Sequence, residues 1–217
     1  MDSLDKRKKF ICFFSGGKDC LVALSLMIEQ GFEPIALVSY ISETLYNPDL
    51  MNKMLLLTRQ AESLKIPIEL YYGDRKSISG IYKMIKISKK YSKNAQYIVS
   101  GVRLDSLGTY INQTIAEVLG MTLIQPLSTY DCDEIIKMIK KYNIEAIIDE
   151  IDENIENRWL GMEYNSDFQT YLRDKNLNLI GDNGEFNTLV VNSNLFQSKL
   201  NYTVEPVNEN AVNLKVE

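Results

Sequence analysis

The chain predicts an α/β protein: a doubly wound parallel sheet followed by a smaller C-terminal α+β domain. Three observations predict it. Short apolar runs alternate with amphipathic stretches across residues 9–124. One apolar run, Phe10-Ile11-Cys12-Phe13-Phe14, enters a Ser15-Gly16-Gly17 turn that leads straight into a helix start. Beyond Gln125-Pro126-Leu127 the alternation becomes irregular. Strands that alternate with helices form βαβ units, a parallel sheet and right-handed crossovers. The expected division is a first domain over residues 1–127 and a second over 128–217.

The elements follow in order. A strand over 9–14 is apolar, and a helix over 18–30 ends before Gly31. The second strand, Pro34-Ile35-Ala36-Leu37-Val38-Ser39-Tyr40, is apolar almost throughout, as a strand covered on both faces should be. Residues 42–49 are polar, contain a proline and read as a loop. A helix over 50–64 would carry Met51, Met54, Leu55, Thr58, Ala61 and Leu64 on one face. A strand over 68–72, a helix over 77–92, a strand over 97–101, a helix over 109–119 stopped by Gly120, and a short strand over 122–124 complete the first domain. In the second, acidic residues suit the first turn of a helix over 131–142. Residues 145–149 read as a strand and 168–172 as helical, and the stretch after Val204 reads as a strand end or tail.

Composition narrows the classes. The 217 residues are 45% hydrophobic, enough for a sizeable core. No apolar run reaches the ~18 residues of a membrane span, and the charged N-terminus lacks a signal-peptide pattern. Three cysteines, an odd number without metal-type spacing, fit a reducing cytoplasm better than a disulfide framework. A net charge of −5 gives no global pull toward nucleic acid. Lys83, Lys86, Lys89, Lys90 and Lys93 form a local basic cluster, read as a solvated helix face with RNA docking as the competing role. The chain has no histidine, so any mechanism needing an imidazole base or an imidazole-based zinc site is excluded.

The turn after the first strand carries the chemistry. Glycines permit close backbone approach, and a helix N-terminus favours anions. Lys18 adds a point charge for phosphate oxygens. The spacing is neither that of a Walker A loop nor that of a dinucleotide fingerprint. Ligands in open parallel sheets sit beyond the carboxyl ends of the strands, which adds Ser100-Gly101 and Ser39-Tyr40 as nucleotide neighbours.

Ser15-Gly16-Gly17-Lys18-Asp19-Cys20 resembles the PP-loop of the ATP pyrophosphatase superfamily, Rossmann-like proteins that split ATP into AMP and pyrophosphate to activate a carbonyl oxygen. Three further segments narrow the resemblance: Val99-Ser100-Gly101, Arg158-Trp159-Leu160-Gly161, and Gly181-Asp182-Asn183-Gly184-Glu185-Phe186-Asn187-Thr188. Together they resemble the diphthine–ammonia ligase family over residues 9–203. The resemblance implies ATP-dependent amidation of diphthine, a modified histidine on translation elongation factor 2, with ammonium as co-substrate. It implies ATP binding by Ser15, Gly16, Gly17, Lys18, Asp19, Cys20, Ser39, Ser100 and Gly101, with Mg²⁺ held in part by Asp19. It makes Lys18, Asp19 and Glu185 catalytic and places the acceptor at Trp159, Gly181, Gly184, Glu185, Asn187 and Thr188.

The same residues keep plainer readings. Gly181–Gly184 also suits a hairpin turn, and Trp159 also suits a core. Cys20 stands where the loop usually has serine, and serves either as its substitute or as a reactive thiol. Asn187 stands where the family often has His or Glu and cannot titrate. Two alternatives to the ligase remain: ATP-dependent modification of another acceptor, with thiolation disfavoured by the absence of Cys-x-x-Cys, and nucleotide sensing without turnover.

Overall fold

A computed structural model of the chain describes residues 8–41, 49–74, 77–103 and 107–216. In chain order the elements are β1 (Lys9–Phe13), α1 (Lys18–Glu29), β2 (Glu33–Ile41), α2 (Leu50–Leu64), β3 (Ile68–Tyr72), α3 (Ile78–Ser88), β4 (Tyr97–Ser100), α4 (Leu107–Leu119), β5 (Thr122–Ile124), α5 (Cys132–Lys141), β6 (Glu145–Ile151), α6 (Ser166–Asp174), β7 (Phe186–Asn192), β8 (Tyr202–Asn208) and β9 (Ala211–Val216). Among the described residues, those up to Ser15, from Asp19 to Ile41 and from Lys65 to Thr129 form one compact unit. Gly16–Lys18, residues 49–64 and residues 130–216 form a second.

The first unit is a five-stranded parallel sheet in the order β3-β2-β1-β4-β5. β1 sits at its centre, paired in parallel with β2 and β4. Its side chains Phe10, Ile11 and Cys12 are wholly buried, because a strand covered on both faces has no solvent side. Ile11, Val38 and Ile98 of the sheet pack with Met84 of α3 and Ile111 and Ile115 of α4. The expected α/β class is found, and β4 lies beside β1. The expected loop at 42–49 lies outside the described residues except for Asp49.

The second unit holds a four-stranded antiparallel sheet in the order β7-β6-β9-β8. Its core joins Ile147, Leu189, Val191, Val212 and Leu214 to Leu56 of α2. Asp131 and Glu134 close the start of α5 with reciprocal side-chain bonds to each other's backbone N–H, the capping arrangement that acidic first-turn residues favour. Beyond the single cut expected at 127/128, the second unit also takes α2 and Gly16–Lys18.

Two expectations are corrected. The buried face of α2 is Asn52, Leu56, Leu57, Gln60, Ala61, Ser63 and Leu64, while Met51 and Leu55 are exposed. The helix is apolar on several sides, so periodicity alone does not choose the face; hydrogen bonds made by Gln60 and Ser63 do. The stretch after Val204 is not a tail but part of a β8–β9 hairpin. Pro206 is tolerated because β8 is the outermost strand of its sheet.

Candidate functional site

The Ser15–Cys20 loop contributes to both units: Ser15, Asp19 and Cys20 to the first, Gly16–Lys18 to the second. In the first unit, Ser15 is exposed and its hydroxyl donates to Cys20 Sγ at 3.5 Å. Cys20 is buried under the first turn of α1, which favours the serine-substitute reading. Asp19 occupies that same turn, half-buried. From the neighbouring strand, Gly101 comes against it so closely that a Cβ there would lie 2.8 Å from Asp19 C and Cys20 N. Ser100 beside it is buried and accepts from Asn112 Nδ2 at 3.0 Å. Thus the end of β4 reaches the start of α1. Ser39 and Tyr40 differ: β2 continues to Ile41, so both are strand residues paired with Leu70 and Tyr71 rather than a strand-end loop. Burial, with Cys20 nearby, pushes the Cys12 thiol well up, so it stays protonated.

In the second unit, Gly16 and Lys18 lie along the edge of β7. Val190 N–H donates to Gly16 O at 2.9 Å, and Lys18 N–H donates to Thr188 Oγ1 at 3.3 Å. Gln60 Nε2 donates to both Gly16 O (2.9 Å) and Val190 O (2.7 Å). Gly16 has φ +80°, and a Cβ on it would stand 2.5 Å from Gln60 Oε1. Glycine is therefore required twice over, by conformation and by space.

The Lys18 side chain is 2% exposed. Its ammonium donates to Ile180 O at 2.6 Å and stands over the rings of Phe186 (5.0 Å) and Tyr164 (5.5 Å). Aromatic faces are negative and attract cations, the more so where water is excluded. Tyr164 in turn donates to Leu179 O at 2.7 Å. The ammonium and the phenol thus hold consecutive carbonyls of the segment that leads to Gly181.

That segment is tied internally. Asn178 Oδ1 accepts from Ile180 N–H and Asp182 N–H. Glu185, buried, accepts from Asn178 N–H at 3.3 Å, Asn183 N–H at 3.1 Å and Asn183 Nδ2 at 2.9 Å. Gly181 and Gly184 both have positive φ, as the turn required. Glu185 is therefore the carboxylate that closes the 178–185 loop. Thr188 is buried; Asn187 is exposed, and its Nδ2 donates to Glu150 Oε2 at 2.8 Å. Trp159 packs on Phe168 (5.0 Å) and Tyr171 (5.3 Å), with Arg158 over its ring, which is the geometry of a packed aromatic cluster.

Sequence reading missed three participants. Gln60 holds the loop, and Lys53 of α2 acts on buried Asp149 of β6. Two consecutive acids in the apolar run Ile147-Ile148-Asp149-Glu150-Ile151 were the available signal for the last pair. Burial raises the Asp149 carboxyl from 3.8 to about 7; Lys53 opposes the rise and Glu150 adds to it. Among the described residues no helix is long and apolar enough to cross a membrane, and no group of three or more His, Cys, Asp or Glu is placed to hold a metal. The lysines of α3 and the turn after it are exposed, with Lys90 paired to Glu69 at 3.0 Å.

No family model matches the chain, and no curated protein does. Among solved structures it is similar to the U34-tRNA thiolase NcsA from Methanococcus maripaludis, solved with its 4Fe-4S cluster. The identity is 13% and the TM-score 0.39, over 64% of this chain and 59% of that one.

Proposed function

We propose that the chain binds ATP on the Ser15–Cys20 loop and spends it on amidating a carboxylate with ammonia, with diphthine on translation elongation factor 2 as the acceptor. The observation that carries the nucleotide reading is local. A central parallel strand opens through a glycine turn into a helix N-terminus, and Gly101, just past the end of the neighbouring strand, is pressed against that helix's first turn. Backbone N–H groups and the helix dipole there favour phosphate. One half-buried carboxylate, Asp19, fits Mg²⁺ bound mainly through phosphates and water. Bound there, Mg²⁺ would neutralise phosphate charge.

The chemistry follows from the acceptor. A carboxylate resists ammonia because its oxygen leaves poorly, and adenylation converts that oxygen into a good leaving group. Charge developing toward pyrophosphate is met by the loop and by Lys18 once its ammonium turns from Ile180 O toward phosphate. The 178–188 segment, pre-shaped by Asn178 and Glu185, offers the acceptor-side surface. A second reading, nucleotide sensing without turnover, draws on one observation: Lys18 and Glu185 are both engaged in holding this segment.

The test is nucleotide product analysis with Mg-ATP, ammonium and diphthine-bearing elongation factor 2, omitting the factor as control. Factor-dependent AMP, with the mass change of acid-to-amide conversion on the factor, supports the ligase. Bound ATP without AMP in either arm supports sensing.

A further inference from the structure

The Nζ of Lys18 occupies a pocket suited to a cation that carries N–H groups. Ile180 O accepts from it at 2.6 Å, and the rings of Phe186 and Tyr164 lie 5.0 and 5.5 Å away. Ile180, Phe186 and Tyr164 are all buried. A carbonyl satisfies an N–H donor, and aromatic faces attract a cation most strongly where water is excluded. That recognition does not depend on the carbon chain behind the nitrogen. A free ammonium ion brings the same charge and the same kind of donor. Hard metal cations gather several oxygens around them, whereas this pocket pairs a carbonyl with hydrocarbon faces.

The walls are held by groups other than Lys18. The two rings stack with centroids 5.8 Å apart. Phe168 meets both edge-on, Phe186 at 5.0 Å and Tyr164 at 6.1 Å. The Tyr164 hydroxyl is anchored on Leu179 O and its backbone N–H on Ala146 O of β6. Gly181 comes so close to Phe186 that a Cβ there would stand 2.8 Å from Phe186 O and 3.1 Å from its ring. Gly181 N–H, on the same peptide as Ile180 O, donates to Asn178 O at 3.4 Å. Lys18 is tethered separately, through its backbone N–H on Thr188 Oγ1 of β7. A flexible four-carbon stem separates that tether from Nζ, so the side chain can leave while loop and pocket stay. Its departure takes the donor from a buried carbonyl, a loss that favours refilling by another donor.

We propose that this pocket is the ammonium site of the amidation: nucleotide draws Nζ out toward phosphate, and the co-substrate takes its place. This rests on the ligase reading above. The exchange conserves the enclosed charge, one cation for another. It also sets an order, nucleotide before ammonium, so the amine enters only a chain already loaded to activate the acceptor. The pocket lies against the 178–185 segment, so the nitrogen is held beside the acceptor-side surface.

Binding is tested without turnover. Thermal melts of Lys18→Ala, whose pocket lacks its cation, compare ammonium, potassium and sodium chlorides at equal ionic strength. Ammonium should raise the melting temperature saturably and beyond both metal ions. Wild type should show no ammonium advantage alone and gain one with Mg²⁺ and a non-hydrolysable ATP analogue. Adding Phe186→Leu to Lys18→Ala removes a ring face and should raise the half-saturating ammonium concentration about fivefold. Where Lys18→Ala does not fold in sodium, recovery in ammonium but not potassium is the supporting result and no recovery the opposing one. Potassium matching ammonium, no ammonium-specific response, an equal response in nucleotide-free wild type, or none in the nucleotide-loaded protein overturns the inference. In turnover, Phe186→Leu alone should raise the KM for ammonium about fivefold with the KM for ATP unchanged. AMP formation with an unchanged ammonium KM rejects the pocket and leaves the ligase standing. An ammonium-specific shift without any AMP rejects the ligase and leaves the amine pocket standing.

Discussion

At Lys18 one side chain serves a fold and a chemistry. Removing it in Lys18→Ala takes the donor from buried Ile180 O and the cation from two ring faces. The expected cost is about 2–3 kcal/mol of stability, read by denaturant unfolding, with loss of turnover alongside. Full stability with turnover lost would assign Lys18 to phosphate alone. Glu185→Gln keeps one acceptor oxygen for the three donors now converging on the carboxylate. It should depress amidation while leaving ATP affinity near wild type in a filter-binding assay, and wild-type turnover at limiting ammonium would dismiss any role in catalysis. Asp149 makes a pH prediction with a definite sign. Its folded value is raised from 3.8 to about 7, so between those limits the folded chain holds a proton that the unfolded chain has released. Its contribution therefore falls as pH rises through that window and is lowest above it, at roughly 1.4 kcal/mol for each tenfold gain in proton affinity on folding. Asp49, lowered by the Asn52 N–H and by Lys215, works the other way, losing its contribution as pH falls. Asp149→Asn should flatten the decline and exceed wild-type stability at pH 8; an unchanged pH profile by thermal melting would refute the assignment. The loop residues were legible in sequence because they are contiguous. Lys53 and Asp149 were not, because they lie on α2 and β6, far apart in sequence, and only the fold brings the charge to bear on the carboxylate.

At the level of elements, α2 shows why periodicity fell short. Its apolar residues surround the helix, so Met51 and Leu55 matched a stripe as well as Leu56 and Leu57. The decision came from polar residues that find partners only in the fold, above all Gln60 on Gly16 O and Val190 O. Gln60→Leu keeps the bulk and removes the donor for two buried carbonyls, so it should cost about 1–3 kcal/mol and weaken ATP binding through the loop. Calorimetric titration with ATP checks this, and unaltered affinity would uncouple α2 from the nucleotide. The β8–β9 hairpin was masked by Pro206, which marks a strand as improbable unless its outer edge is unpaired, a fact only the sheet order supplies.

For the whole molecule, the parallel sheet was readable because βαβ repetition makes every strand a buried apolar run, as at Phe10–Phe13. The second sheet was less so. Its strands come from segments separated by loops, and β6 reads as apolar until two acids interrupt it. Its partners β7 and β9 lie far off in sequence, so no local pattern announces them.

The enclosure of Lys18 also makes the chain its own reporter. Amine-acylating reagents reach lysines by the accessibility of their nitrogen. Lys86, Lys89 and Lys93 are exposed, whereas Lys18 is 2% exposed and already donating. In peptide mass maps Lys18 should be the laggard, modified far more slowly than Lys86. If ATP draws its ammonium out, the rate at that one peptide should change on adding nucleotide while the α3 peptides keep theirs. A Lys18 peptide labelled as fast as Lys86 before nucleotide is added would mean the enclosure is open in solution.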